Sequence, residues 1–471
     1  MRIKLFKIIP RYSPLFWVIA LLGLTSCTLK HPGPLQTPPP PSSADIQPQM
    51  NSVRPFPQAW WTTFNDPELT RLINLARTNN LDLAQAAARI DAARARAKIA
   101  GADASVQGMG SVDALRQRTS ENTALQTGRN YASQFGGDLT FSYELDIWGR
   151  VKAFRSAAEK EIVLSSAERA AAEISLLTLV AKNYLNALAL RREIAVIDNQ
   201  LAQYAETEHL QTVRVEAGFA TELDLQRTRI ERATAEGERE YVQQREQAYQ
   251  NALALLCGLT ADSAKTNVPQ PQAIMTLPPA PQTLALALLE ARPDVAARRT
   301  AWEVAAQRLH VAQAERLPAL KLAGSIGYAS QYPEDLLNWK SHLWSLTAGL
   351  TAPLLDGGRL RGNLDLANAQ LREAASAYEA AMLTAYREVA DARVNVISLA
   401  DQQHAALRVC SASQRALALA QERYEKGYSS YLDVVESNRS LLAAQRTRVR
   451  LAGEQQCAFV DLVRALGLAA E

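Results

Sequence analysis

Residues 138–150 read DLTFSYELDIWGR and contain the change of periodicity that decides the fold. Up to residue 147, apolar side chains alternate with polar ones, which is typical of a β-strand with one apolar and one solvent-facing side. The apolar residues are Leu139, Phe141, Tyr143, Leu145 and Ile147. From residue 150 to residue 217 the chain then contains neither proline nor glycine. The stretch therefore predicts a strand that leads directly into one very long helix.

The predicted helix is longer than a globular domain. At 1.5 Å per residue it would span roughly 100 Å, and such a length requires packing against other helices. Its apolar residues recur at spacings of three and four, as a coiled-coil seam requires; they are Ile174, Leu177, Ala181, Tyr184 and Leu188. Residues 363–426 also lack proline and glycine. They predict a second helix of similar length.

The second half of the chain repeats the first. Residues 148–150 (WGR) correspond to 357–359 (GGR), and 217–219 (AGF) correspond to 426–428 (KGY), at a common offset of 209. Each half predicts a short helix, two strands, a long helix, a glycine break and another helix. A repeat of this length indicates a duplicated domain-sized unit rather than a short solenoid motif.

The correspondence changes near the strands. Residues 131–134 and 328–331 both read YASQ, at an offset of 197. This match predicts that the first half carries about a dozen extra residues before that point. Further strand-like alternation runs over 320–328 and 344–354.

Proline-rich stretches mark the boundaries between the predicted segments. We predict a signal peptide at 1–26, a lipidated tether at 27–59, a first repeat at 60–260, an inter-repeat segment at 261–290 and a second repeat at 291–468.

The first residues have the composition of an export signal. Four basic residues within 1–11 precede an apolar run over 15–24. This run is too short to cross the ~30 Å hydrocarbon core as a helix. It predicts a cleaved secretory signal rather than a membrane anchor.

Residues 24–27 (LTSC) resemble the lipobox of bacterial lipoproteins, in which cleavage leaves the cysteine at the new N-terminus. The resemblance implies a covalent lipid on Cys27, and two acyl chains suffice for stable anchoring. Thr28 follows the cysteine, which in Gram-negative sorting resembles delivery to the outer membrane. The alternative is an ordinary signal peptide with a chance cysteine.

The remaining composition argues against several classes of function. Without the four basic residues of the leader, 47 basic and 48 acidic residues remain, so no nucleic-acid partner is expected. The five histidines lack paired metal-ligand spacing. No catalytic motif occurs in a suitable context, so we predict no enzyme, no metal and no cofactor other than the lipid. Cys257, Cys410 and Cys457 are predicted to be apolar packing residues, although a Cys257–Cys457 bridge stays open.

Four strands are too few to close a membrane barrel, which needs at least about eight strands and tolerates no open edge. A membrane location therefore predicts oligomerisation, and three chains would supply twelve strands. A soluble half-buried sheet would show the same alternation.

These residues together resemble the TolC-like outer-membrane factors, specifically the lipoprotein branch that serves resistance–nodulation–division efflux pumps. The resemblance covers nearly the whole chain after the leader. It is carried by 145–150 (LDIWGR), 292–294 (RPD), 353–359 (PLLDGGR) and 424–439. It implies a mainly α fold with a small β part, tandem-duplicated. Three chains would form a 12-stranded outer-membrane β-barrel that continues as a long periplasmic α-helical barrel.

The resemblance also implies a function. The chain would be the passive outer-membrane channel of a tripartite efflux system for drugs or other small toxic compounds. It would be a homotrimer in the Gram-negative outer membrane, opened at its periplasmic end by an adaptor protein and an inner-membrane pump. Export of proteins by a type I system, or a periplasmic coiled-coil scaffold, are the alternatives.

The family's gate falls on the second glycine break and the helix that follows it. Leu432 resembles the apolar constriction residue, Asp433 and Glu436 the acidic rings, and Arg439 their ionic partner. Tyr424 and Asp224 resemble a pair that ties the two hairpins shut, and Gly218 and Gly427 mark the turns where the adaptor would dock. Asp433, Glu436 and Arg439 are spaced three apart and share a helix face. The alternative is that they are solvated charges at a helix start.

Overall fold

A computed structural model describes residues 46–47, 59–118, 120, 131–260, 284–285 and 289–467. The predicted leader, Cys27 and most of the two proline-rich segments lie outside these residues. The helices are α1 (Pro67–Asn79), α2 (Leu81–Ala102), α3 (Arg150–Glu216), α4 (Glu222–Leu256), α5 (Pro293–Ala314), α6 (Arg359–Glu425) and α7 (Tyr431–Ala465). The strands are β1 (Ile46–Gln47), β2 (Gln107–Arg118), β3 (Tyr131–Leu145), β4 (Leu284–Ala285), β5 (Ala319–Ser330) and β6 (His342–Thr351). Short 3-10 helices cover Trp60–Phe64, Pro333–Asp335 and Trp339–Ser341.

The helices confirm the duplication. The short helices α2 and α5 each have 22 residues, the long helices α3 and α6 each have 67, and the last helices α4 and α7 each have 35. Both long helices begin and end within a few residues of the proline- and glycine-free runs that predicted them. The absence of helix breakers therefore set their length.

The predicted insertion in the first half is wrong. The strands β2 and β5 each have 12 residues, and the intervals that follow them, 119–130 and 331–341, differ by only one residue. The YASQ at residue 131 begins β3, whereas the YASQ at residue 328 lies at the end of β5. The equivalent of β3 is β6, so the two YASQ stretches belong to different strands of the repeat.

Four strands form one antiparallel sheet in the order β2-β3-β5-β6. Leu139 in β3 pairs with Gly110 and Ile326, and Ile326 pairs with Trp344. Directly paired residues lie on the same side of a sheet, so the register confirms the predicted apolar face. This face is open to solvent in the single chain, where Leu139 is 52% and Trp344 72% exposed.

The opposite face of the sheet is polar. Ser325 and Ser345 share a hydrogen bond of 2.7 Å across β5 and β6, and Ser111 donates to Asp138 across β2 and β3. The outer strands β2 and β6 each have one partner strand in the described residues. Their other edges therefore present backbone N–H and C=O groups that another strand can pair with.

Aspartates stabilise the junctions between the strands and the long helices. Asp146 accepts hydrogen bonds from the backbone N–H groups of Val151 (3.0 Å) and Lys152 (2.8 Å), and Asp356 accepts one from Leu360 (2.7 Å). These bonds satisfy N–H groups that have no partner within the helix. The bond from Leu360 is the main reason that the pKa of Asp356 lies below its ordinary value. Helix capping is thus the physical role of the aspartate in the LDIWGR and LLDGGR motifs.

The chain divides into two compact units. One unit contains the four-stranded sheet, with the described residues of 95–160 and of 302–373. In this unit α5 packs on the first part of α6 through Leu309, Ala312 and Ala367.

The second unit contains the described residues of 39–94, 161–301 and 374–471. The predicted seam of α3 is confirmed, because all five of its residues are buried: Ile174, Leu177, Ala181, Tyr184 and Leu188. The helix α4 packs on α3 through Ile197, Tyr204 and Val242. The helix α7 approaches α3 so closely that a Cβ atom on Gly453 would lie 2.6 Å from the Cβ of Ala189.

In each half, the side chain that precedes the short helix donates a hydrogen bond to a carbonyl at the end of the last helix. The side chain of Asn80 donates to the carbonyl of Leu256 at the end of α4 (2.9 Å), and Arg292 donates to the carbonyl of Ala465 at the end of α7 (2.8 Å). Burial raises the pKa of Asp294, but two hydrogen bonds from Arg292 outweigh it and leave that pKa below its ordinary value. The buried arginine therefore ties the start of α5 to the end of α7.

The cysteines in the described residues pack as predicted. Cys257, Cys410 and Cys457 are buried and free, so Cys257 and Cys457 are not bridged. Burial raises the pKa of both Cys257 and Cys457 to about 11. These thiols therefore stay protonated and unreactive near neutral pH.

Among the residues that the structure describes, none of the helices combines the length and apolar composition needed to cross a membrane.

Candidate functional site

Both long helices end in the same kind of turn. The backbone N–H of Phe219 donates to the carbonyl of Arg214, and that of Tyr428 donates to Arg423, each at 2.8 Å. Gly218 and Gly427 have φ angles of +80° and +75°. This combination is the Schellman motif, in which glycine takes the left-handed conformation at little cost. The predicted glycine breaks are thus tight reversals between antiparallel helices.

An aspartate caps the helix that leaves each turn. Thr221 Oγ1 donates to Asp224 Oδ2 (2.7 Å), and the backbone N–H of Ser430 donates to Asp433 Oδ2 (3.2 Å). Both aspartates occupy the third position of their helix, where a carboxylate also suits the helix dipole. The alternative given in the sequence analysis, that Asp433 acts locally at the start of its helix, therefore describes a contact that is present in the structure. This local role does not conflict with a role in a gate.

Tyr424 and Tyr431 form an aromatic contact across the second turn, and Arg214 of the first hairpin lies against Tyr424. The Tyr424 ring is 5.4 Å from that of Tyr431, and the guanidinium of Arg214 lies 5.8 Å above it. Its hydroxyl accepts a long hydrogen bond of 3.5 Å from Gln211. The Tyr431 hydroxyl is 2.8 Å from Thr228 Oγ1, and burial raises the pKa of Tyr431.

Within the described part of one chain, no hydrogen bond joins Tyr424 to Asp224. Asp224 is bound to Thr221 and lies 3.5 Å from Arg227 instead. The contacts inside one chain therefore run from Tyr424 to Gln211 and from Tyr431 to Thr228. A pairing of Tyr424 with Asp224 stays a prediction.

Arg439 contacts two carboxylates. Its Nε donates to Glu231 Oε2 at 2.9 Å and its Nη2 donates to Glu231 Oε1, whereas Nη1 is 3.9 Å from Glu436 Oε2. The side chain of Glu231 is 9% exposed and that of Glu436 is 69% exposed. Of the two acids, Glu231 is thus the tightly bound partner and Glu436 the solvent-facing one.

Our sequence reasoning missed Glu231. It lies on α4 between the buried residues Thr228 and Ala235, at the spacing of three and four that marks the packed side of the helix. A carboxylate at such a position needs a partner, because an unpaired buried charge is costly. The sequence signal for this contact is a charged residue at a position of the apolar seam, because such a residue predicts a buried ion pair.

The remaining predicted residues lie at or beside the turns. Leu432, at the second position of α7, is 48% exposed. Phe219, Leu223 and Tyr428 are also exposed apolar side chains around the two turns. The turns thus present apolar groups and acidic groups together.

No group of three or more His, Cys, Asp or Glu residues in the described ranges could hold a metal ion.

The chain resembles known proteins over most of its length. The outer membrane efflux protein family matches it at residues 72–259 and 284–468. It is 31% identical over 452 residues to the pyoverdine export outer membrane protein OpmQ of Pseudomonas putida, covering 95% of each chain. It is 34% identical over 417 residues to the outer membrane protein OprJ of Pseudomonas aeruginosa, covering 87% of this chain and 85% of that protein.

Solved structures show the same fold. The outer membrane protein VceC from Vibrio cholerae has a TM-score of 0.82 against this chain at 29% identity, covering 88% of this chain and 99% of that chain.

Proposed function

Since this chain belongs to the outer membrane efflux protein family, we propose that its two helical turns form the periplasmic gate of an efflux channel. The chain is the outer-membrane channel component of a tripartite efflux system in a Gram-negative bacterium, and it is a conduit rather than an enzyme. It works as a homotrimer with a TolC-like fold.

The four-stranded sheet is the observation that best supports a trimeric channel in the outer membrane. One chain supplies four strands with an exposed apolar face, a polar opposite face and two outer strands, β2 and β6, with an open edge each. In lipid, every backbone N–H and C=O group needs a partner. Pairing β2 with β6 of the next copy removes every edge in a ring of three. The apolar face then contacts lipid and the polar face lines the lumen.

Our proposal locates the gate at the turns in which the long helices end. Threefold symmetry brings three copies of each gate residue around one axis, so that Leu432 forms an apolar constriction. Asp433 and Glu436 form rings of carboxylates, and charged rings set ionic selectivity in pores. Tyr424 belongs to the hairpin of α6 and α7 and Asp224 to the hairpin of α3 and α4, so a bond between them would hold the gate closed.

The same turns are the proposed docking site for the adaptor. An adaptor protein docks around Gly218 and Gly427, beside the exposed side chains of Phe219 and Tyr428. The pump is of the resistance–nodulation–division type. It selects the cargo, because a passive conduit for small toxic compounds needs no binding site of its own.

Leu432→Ala tests the gate. The purified trimer in a planar lipid bilayer should conduct ions, and this variant should raise the mean conductance roughly twofold or more, because an apolar constriction excludes water and ions. The matched control is Leu223→Ala, the equivalent position of the first half, which should leave the conductance near the native value. Absence of conductance in both the native trimer and Leu432→Ala would refute the channel. Equal effects of the two variants would refute the constriction at Leu432.

Cys27 is the proposed lipid attachment site, and the anchor adds to the membrane contact of the strands. Cys27→Ser should abolish incorporation of labelled palmitate, because a serine hydroxyl cannot form the thioether that the lipobox chemistry requires. Cys257→Ser is the control and should keep the label, since Cys257 is buried. Persistent labelling of Cys27→Ser would show that the lipid is carried elsewhere or that Cys27 is not modified.

A further inference from the structure

Two arginines lie one heptad apart on α7, and each has two carboxylate partners. Arg446 is held between Glu193 of α3 at 2.9 Å and Glu238 of α4 at 2.5 Å. Arg439 is held by Glu231 of α4, and its second carboxylate is Glu436 of its own helix at 3.9 Å. The two sites share one architecture but differ in the second acid.

The second acid determines which carboxylate each arginine can still contact when its glutamate on α4, Glu238 or Glu231, is removed. Without Glu238, Arg446 keeps Glu193 as a partner within hydrogen-bond distance. Without Glu231, the carboxylate nearest to Arg439 is the exposed Glu436, three residues before it on the same helix face. The guanidinium would then neutralise the acid that we place in the pore.

We propose that Glu231 is a positioning residue for ion selectivity. By binding Arg439 it leaves the carboxylate of Glu436 free to act on permeating ions. This inference rests on the proposed gate, because it requires Glu436 to face the pore. Glu231 itself contributes no ring, since its side chain is buried between α4 and α7.

The charge balance supports this role. The bidentate contact binds each Arg439 to Glu231, so that threefold symmetry leaves three Glu436 carboxylates whose contact with Arg439 is only the long one of 3.9 Å. Carboxylate rings attract cations into a pore. Releasing three guanidinium groups beside them would cancel this attraction. Arg439 is half exposed, so it has room to reach toward Glu436.

Glu231→Gln, reconstituted as the trimer in planar bilayers under a salt gradient, tests the inference. The permeability ratio of K⁺ to Cl⁻ should fall about threefold or more, as expected for a unit charge released within a few ångströms of the ion path. The matched control is Glu238→Gln, which removes the same charge from the same helix one heptad away and should keep the native ratio.

A double variant separates the charge from the structural contact. Glu231→Gln with Arg439→Gln should restore the preference for cations, because the released guanidinium is absent. Arg439→Gln alone should raise the cation preference above that of the native chain, and it decides the question if Glu231→Gln does not assemble. A native ratio in Glu231→Gln, or a double variant that stays as unselective as Glu231→Gln, would overturn the inference. A trimer that conducts nothing in both its native form and the Leu432→Ala form would instead overturn the proposed function.

Discussion

Leu139→Arg is expected to abolish assembly of the channel in the outer membrane. Leu139 lies near the middle of β3, between Gly110 and Ile326 on the apolar face of the sheet. An arginine facing lipid near the midplane of the bilayer costs about 2–4 kcal/mol, and a trimer carries three of them. The trimer should be absent when unheated samples of the outer-membrane fraction are run on a gel. The protein should instead appear as monomer or be degraded.

Thr140→Arg is the matched control for this prediction. Thr140 is the next residue in the strand, so its side chain lies on the polar face. Substitutions that face the lumen of a barrel alter its selectivity rather than its stability. The trimer should therefore persist. If both variants assembled equally well, the assignment of the apolar face to lipid would be wrong.

Arg292→Met is expected to destabilise the helical unit that contains α7. Arg292 is 6% exposed and donates hydrogen bonds to Asp294 (2.8 Å), Glu388 (2.7 Å) and the carbonyl of Ala465 (2.8 Å). Removing one partner of a buried ion pair costs about 3–5 kcal/mol. We expect the lower end of this range, because Glu388 is partly exposed and keeps Arg464 at 3.6 Å.

Thermal unfolding followed by helical circular dichroism would show this as a lower midpoint. Arg94→Met is the control, because Arg94 forms an exposed i,i+3 ion pair with Asp91. Such pairs contribute about 0–1 kcal/mol, so the midpoint should hardly move. Equal shifts for the two variants would contradict the stabilising role of Arg292. Gly467 belongs to the same contact, since a Cβ atom there would lie 2.5 Å from Arg292 Cγ.

The sequence alone was sufficient for the two long helices and for β3, whereas it did not predict α1. Alternation over 138–147 predicted β3 and its apolar face, and the absence of proline and glycine predicted two very long helices, each of which has 67 residues in the structure. The positive φ angles of Gly218 and Gly427 follow equally from the sequence, because few other residues tolerate that conformation. These features are local: each depends on residues within one or two turns of chain.

Features that depend on how distant segments lie beside one another could be identified only from the tertiary structure. The contact between Arg439 and Glu231 joins residues 208 positions apart, so the pair is invisible until α4 and α7 lie side by side. The equivalence of β3 with β6 was likewise hidden, because a four-letter match favoured β5. Periodicity determines which side of a helix or strand is buried. Only the packing of these elements determines which charge on one side meets which charge on another, because Coulomb interactions depend on distance in space and not on distance along the chain.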